Sequence, residues 1–198
     1  MARSTSLTIS TFDNYYAFFD AYFGPLPFGS YTNAQVQGGR LIPRTVLAKS
    51  ADNAALTAAL RTIAPNPAFH IVGIGADVST RAFVPNAVFP GWRTAGSWIE
   101  IAANWDYDQT YATNAVNETL ITDDYVPLLQ AVSGPDSGAY MNEADPHQPD
   151  FQSQFFGDIY ARLRSIKNVF DPNHIFYGNA LVGSDEWVLG ADGRLCRA

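Results

Sequence analysis

Cysteine is almost missing from this sequence. The 198 residues hold one, Cys196, two positions from the end. That excludes an internal disulfide framework and a thiolate metal centre. Histidine is scarce too: His70, His147 and His174 lie far apart and lack ligand spacing, so no metal is expected. Positive charge is short, with 12 Lys and Arg against 19 Asp and Glu for a net charge of −7. A nucleic-acid binder needs cations to replace phosphate counterions, so nucleic acid is excluded as a partner. Docking on anionic lipid is excluded on the same ground. Long apolar runs are absent; the stretch 69–76 is far too short to span a bilayer. Residues 1–16 contain no apolar segment of the secretory kind. The sequon Asn117-Glu118-Thr119 matters only in a secreted chain. These absences together describe an acidic, soluble, cytoplasmic protein.

The common phosphate-gripping and nucleophile motifs are missing as well. Gly73-Ile74-Gly75 is followed by Val78 where a dinucleotide fingerprint places glycine. No G-x-x-x-x-G-K loop and no G-x-S-x-G elbow occurs.

What is present is length for a buried core and many rings: 4 Trp, 10 Tyr and 13 Phe. Such rings build either a Phe-rich core or a wall around a planar apolar ligand. The elements follow from periodicity. Ser10-Thr11 reads as the cap of an aromatic helix over 12–23, stopped by Gly24-Pro25. Residues 30–37 alternate as a strand, with Tyr31, Asn33, Gln35 and Gln37 on one face and Gly38-Gly39 as its exit. Residues 41–44 are extended. Ser50 or Asp52 caps a helix to Ile63, and 69–78 and 97–105 are strands. In the second, Trp98, Glu100, Ala102 and Asn104 point one way and Ile99, Ile101, Ala103 and Trp105 the other. Asp108 caps a helix over 109–131 with a kink near Pro127, and 139–142 is a short strand. Asp150 caps an amphipathic helix striped by Phe151, Phe155, Ile159, Leu163 and Ile166, closed by Asp171-Pro172. This order predicts an α+β fold in one domain, 1–198, with a sheet covered by helices on one face.

The last third carries a recognisable set of motifs. Tyr140-Met141-Asn142 with Asp145 resembles the Y-x-N-x-x-D stretch of the berberine bridge enzyme-like FAD-linked oxidoreductases. Gly157-Asp158-Ile159-Tyr160-Ala161-Arg162-Leu163 resembles their G-x-N-Y-x-R-L helix, with Ile159 where the family has Asn. Residues 166–176, IKNVFDPNHIF, are similar to their I-K-x-x-Y-D-P-x-x-x-F ending. Gly183 to Trp187 and Asp192 to Cys196 look like fungal members, and Arg40 to Arg44 fits upstream. The segment 139–198 carries most of the resemblance. It implies the substrate-domain half of these vanillyl-alcohol-oxidase-type flavoproteins, an antiparallel sheet backed by helices, without their FAD-binding domain. The expected cofactor is therefore none, FAD belonging to the full-length relatives.

The function this implies is a flavin-independent enzyme of fungal-type natural-product biosynthesis. It would catalyse cyclisation or cycloaddition, of Diels–Alder or hetero-Diels–Alder type, on a hydrophobic polyketide or terpenoid. The alternatives are a fragment or subunit of an FAD-linked oxidoreductase, and a non-catalytic module that dimerises through the face the missing domain would cover. Catalytic candidates are Tyr140 as donor or acid, Asn142 as carbonyl anchor, Glu100 as general base if desolvated, and His70 as acid/base group. Trp98, Asn104, Tyr31, Asn33, Gln35 and Gln37 are the substrate-binding candidates. Each polar member reads equally as solvated surface, and Asp145 reads as a turn residue.

Overall fold

The computed structural model describes residues 9–24, 35–80, 86–190 and 194–198. The chain divides into two compact units, Met1–Ala34 and Gln35–Ala198. In the first, helix α1 (Tyr15–Phe23) starts later than Ser10-Thr11 suggests. Asn14 caps it instead, its side chain accepting the Ala17 amide at 2.9 Å. Tyr31 and Asn33, with most of the strand expected over 30–37, lie outside the described residues.

The second unit runs β1 (Gln35–Pro43), α2 (Arg44–Ala48), α3 (Ser50–Ile63), β2 (Phe69–Gly75), β3 (Ala95–Asn104), α4 (Tyr111–Thr119), α5 (Val126–Ser133) and α6 (Tyr160–Phe170), then a hairpin of β4 (Trp187–Leu189) and β5 (Leu195–Arg197). The main sheet has the order β1-β3-β2, and both pairings are antiparallel. The glycine pair that reads as a strand exit lies inside β1. A Cβ on Gly38 would meet the Ile121 side chain at 2.4 Å, and one on Gly39 the Trp98 ring at 2.8 Å. Glycine serves here to let neighbours close on the backbone, not to turn it.

One face of the sheet carries the helices. Ile42, Ile99 and Ile101 pack on Leu56 and Ile63 of α3 and on Tyr125 and Leu129. Val36 and Ala103 pack on Ile121 and Val126. Alternation along β3 thus sorts side chains as the sequence pattern predicts, and the fold is α+β with an antiparallel sheet. Arg40 also lies on this side, fully buried. Its guanidinium donates to Gln154 Oε1, to the carbonyls of Gly134 at 3.1 Å and Pro135 at 3.2 Å, and to the Ser137 hydroxyl at 3.0 Å. A cation at the C-terminus of α5 answers its exposed carbonyls and dipole. Burial lowers the Arg40 pKa to about 10, so the charge is kept at neutral pH.

Three expected elements differ. The helix over 109–131 is α4, a π-helical turn at Leu120–Tyr125, and α5. Thr110, not Asp108, caps it, accepting the Thr113 amide at 3.2 Å. Pro127 falls in the first turn of α5, where its missing N–H is tolerated. Residues 139–142 form no strand: Tyr140 is extended and Met141–Glu143 closes a 3-10 turn, with Glu143 N donating to Tyr140 O at 3.0 Å. Asp150 starts no regular helix. It sits at φ 52°, a π turn follows at Gln152–Phe156, and Gly157 at φ 60° separates that turn from α6. Phe151, Phe155, Ile159 and Leu163 still pack in one cluster, while Ile166 is exposed.

That cluster covers one end of the opposite sheet face. Leu41 and Trp98 are buried there beneath Phe89, Ala139, Phe155 and Phe156. The Leu41 amide donates to Gly138 O at 3.0 Å, tying the segment to β1. No helix among the described residues is long and apolar enough to cross a membrane.

Candidate active-site face

The side chains facing away from the helices follow from strand register. Gln35 pairs with Asn104, Gln37 with Ala102, Gly39 with Glu100 and Leu41 with Trp98. Across the other edge His70 pairs with Ala102, Val72 with Glu100 and Ile74 with Trp98. Period-2 alternation puts all of these on one surface. Tyr140 joins them from the turn after Ala139. Its ring meets Trp98 edge-on with centroids 6.0 Å apart, and Trp92 likewise at 5.5 Å. Asn142 donates to the Tyr140 hydroxyl oxygen at 2.9 Å. Eight candidates therefore come together: Gln35, Gln37, His70, Trp98, Glu100, Asn104, Tyr140 and Asn142. Trp98, expected to bind substrate, is instead fully buried beneath the Phe89–Phe155–Phe156 cluster and supports the face from below. His70 is exposed, opposite in direction to Phe69 and Ile71, which face the core.

The polar members form a chain. Gln35 Nε2 donates to Asn104 Oδ1 at 3.3 Å, and Gln37 Nε2 donates to Gln35 Oε1 at 3.2 Å and to Glu100 Oε1 at 2.7 Å. Glu100 is 7% exposed, at the centre of the face. Burial pushes its carboxyl above the ordinary value of 4.5, and the charge of Glu143 pushes it further; His70 and the Gln37 hydrogen bond pull the other way.

Glu143 was not singled out by the sequence. Its Oε2 accepts the Trp98 indole N–H at 2.9 Å, so it belongs to the same face. The only sequence signal was its place inside Tyr140-Met141-Asn142-Glu143-Ala144-Asp145, where it reads as a spacer. Trp92, the second ring on Tyr140, was missed because residues 79–92 read as loop. Asp145 is a buried turn residue: its Oδ1 accepts the His147 amide at 2.8 Å, and burial raises its pKa.

The rest of the face is open. Val72 and Ile74 on β2 are 37% and 47% exposed. A cleft of about 470 Å³ between Phe89–Gly91, Pro135–Asp136 and Gln152–Tyr160 shares no residue with the Glu100 network. Among the described residues no cluster of His, Cys, Asp and Glu is arranged to hold a metal ion.

FAD, which the resemblance implies for longer relatives, does not fit this face as a whole. Rings and amides suit a planar heterocycle. The diphosphate finds no cradle, because the ionisable side chains coupled here are two carboxylates, Glu100 and Glu143, and one imidazole, His70. A dianion would add to the repulsion that already raises Glu100, where diphosphate sites use cations or helix N-termini.

The comparisons with known proteins agree with the motif reading. The family model described as "Berberine and berberine like" matches residues 139–181. The FAD-linked oxidoreductase patO of Aspergillus clavatus is 42% identical over 162 residues, which is 81% of this chain and 28% of that protein. The bifunctional decalin synthase calF of Penicillium decumbens is 34% identical over 194 residues, 97% of this chain and 34% of that one. The crystal structure of the VAO-type flavoprotein MtVAO615 from Myceliophthora thermophila C1 superposes with a TM-score of 0.83 at 33% identity, covering 93% of this chain and 34% of that chain. The chain spans about a third of the length of the proteins it matches. By motif and by fold, the chain is similar to a part of FAD-linked oxidoreductases of the vanillyl-alcohol-oxidase type, with the berberine-like match in residues 139–181.

Proposed function

We propose that the helix-free face is the substrate-side wall of an FAD-linked oxidoreductase acting on planar, oxygenated, hydrophobic small molecules. The observation that carries this reading is Glu100: a buried carboxylate, its pKa raised, at the centre of an open polar and aromatic surface. A carboxylate that burial makes more basic is suited to taking and returning a proton. In this reading Glu100 accepts a proton from a substrate hydroxyl and Gln37 holds the carboxylate in place. Tyr140 and Asn142 anchor a substrate oxygen. Trp92 and Tyr140 form the wall against which the substrate lies, and the buried Trp98 backs Tyr140 from beneath. Gln35 and Asn104 bound its polar end, and His70 exchanges protons with solvent at the rim. FAD is assigned to the part of the relatives that this chain does not span. Those relatives carry the names of FAD-linked oxidoreductases, and an open face excludes water only when a second body covers it.

A second reading is favoured by the similarity to a bifunctional decalin synthase and by the poor fit of the face to FAD. In it the chain alone performs a cyclisation or cycloaddition. The aromatic wall would pre-form the reacting conformer, and Tyr140 and Asn142 would polarise a carbonyl. The test supplies the flavin-binding portion of patO as a separate chain and follows oxygen consumption with a panel of aromatic alcohols and phenols. The first reading expects consumption only when both chains are present, lost in Glu100→Gln. Conversion of a polyene by this chain alone, without flavin absorbance or oxygen uptake, would overturn it in favour of the second.

A further inference from the structure

We propose that Glu143 is a positioning residue of this face: it fixes the buried Trp98 indole beneath the face and sets a second negative charge beside Glu100, so that the two carboxylates work as a pair of which Glu100 exchanges the proton. The inference rests on the acid/base reading of Glu100 and deepens it. Three placements carry it. Trp98 and Glu100 are two residues apart on β3 and share a face, roughly 7 Å along the strand. The Trp98 ring lies over Gly39, where a Cβ would strike it at 2.8 Å, and Gly39 is the residue directly opposite Glu100. The indole N–H then reaches Glu143 Oε2 at 2.9 Å, and the charge of that carboxylate acts on Glu100.

The surroundings leave Glu143 as the source of negative charge there. From β1, Glu100 meets the uncharged Gln37; from β2 it meets His70, whose protonated form opposes Glu143; from its own strand the same face offers Trp98, Ala102 and Asn104, none of them acidic. Like charges close together resist joint ionisation, so the buried member keeps its proton to higher pH. That arrangement also disfavours anionic substrates and leaves neutral alcohols and phenols as the ligands the pair accepts.

The sequence has four glutamates, Glu100, Glu118, Glu143 and Glu186, so selective 13C labelling of the side-chain carboxyl gives four resonances to titrate. Glu100→Gln assigns its own signal. Glu143→Gln keeps an oxygen for the indole N–H while removing the charge, and is expected to lower the Glu100 midpoint. Trp98→Phe removes the indole donor but not the charge, and is expected to leave the midpoint above 4.5. If Glu143→Gln does not fold, the wild-type protein carries the check: the Glu143 signal should move again at the Glu100 midpoint. A Glu100 midpoint unchanged in Glu143→Gln, or a Glu143 signal indifferent to it in the wild type, overturns the pairing. These measurements need no substrate. Failure of the acid/base reading itself would show separately, as turnover surviving Glu100→Gln.

Discussion

Gln37 Nε2 donates to Glu100 Oε1 at 2.7 Å across the β1–β3 pair, one step off the directly opposed residues. Diagonal neighbours on an antiparallel face come within reach of long side chains, and here the contact holds a buried carboxylate at the centre of the open surface. Much of the expected behaviour of the protein follows from the cost of that burial.

Glu100→Gln should stabilise the fold at neutral pH while removing function. An acid with a raised folded pKa binds its proton more tightly in the folded than in the unfolded state. Its favourable contribution is therefore present at low pH and declines as pH rises from 4.5 through the raised value. The variant should melt higher than wild type at pH 7, with the gap closing toward pH 4. Differential scanning calorimetry across that range checks it. Proton-transfer turnover should fall at least about 100-fold.

Gln37→Leu should raise the Glu100 midpoint further, because the hydrogen bond that favours the charged form is lost. It should also cost about 1–3 kcal/mol at neutral pH, the usual penalty for stripping a buried polar group of its partner. Carboxyl NMR titration and chemical denaturation measure the two effects.

Gly39→Ala should destabilise and move Trp98. The new methyl would meet Ile99 O at 2.2 Å as well as the Trp98 ring, and the carbonyl belongs to the sheet ladder and has nowhere to go. Overpacking of this kind costs about 1–3 kcal/mol. A change in tryptophan emission together with a lower denaturation midpoint is the expected result.

Asp171→Asn should weaken the segment after α6. The carboxylate accepts the Ile175 amide at 2.8 Å, the Phe176 amide at 3.1 Å and the Lys167 ammonium. These contacts, led by Lys167, hold its pKa below the ordinary 3.8. A depressed acid contributes stability above 3.8 that is lost as pH falls through the folded value. The variant should melt below wild type at pH 7 and approach it near pH 2, in melting curves at the two pH values.

Ile101→Ala tests the helix side of the same strand. Ile101 is fully buried between the sheet and the α3–α5 layer, and its truncation should cost about 2–5 kcal/mol by denaturant titration.

The sequence by itself determined the class of fold and most of the face. Alternation along 97–105 is a local property of a strand, so it sorted Trp98, Glu100 and Asn104 from Ile99 and Ile101 before any packing was known. The motifs at 140–176 carried the family resemblance because each is a short contiguous run. Other features were decided by tertiary structure. Gly38-Gly39 looks like a turn until Trp98, Ile121 and Val126 are seen to need the space above it. The helix after Thr110 is interrupted by a π turn at Leu120–Tyr125, which no 3.6-residue pattern encodes. Glu143 stands apart from Trp98 and Glu100 by more than forty positions. Only the path of the chain, fastened by the Leu41–Gly138 hydrogen bond, carries that carboxylate back across the sheet, because long-range contacts depend on how elements pack and not on what lies beside a residue in sequence.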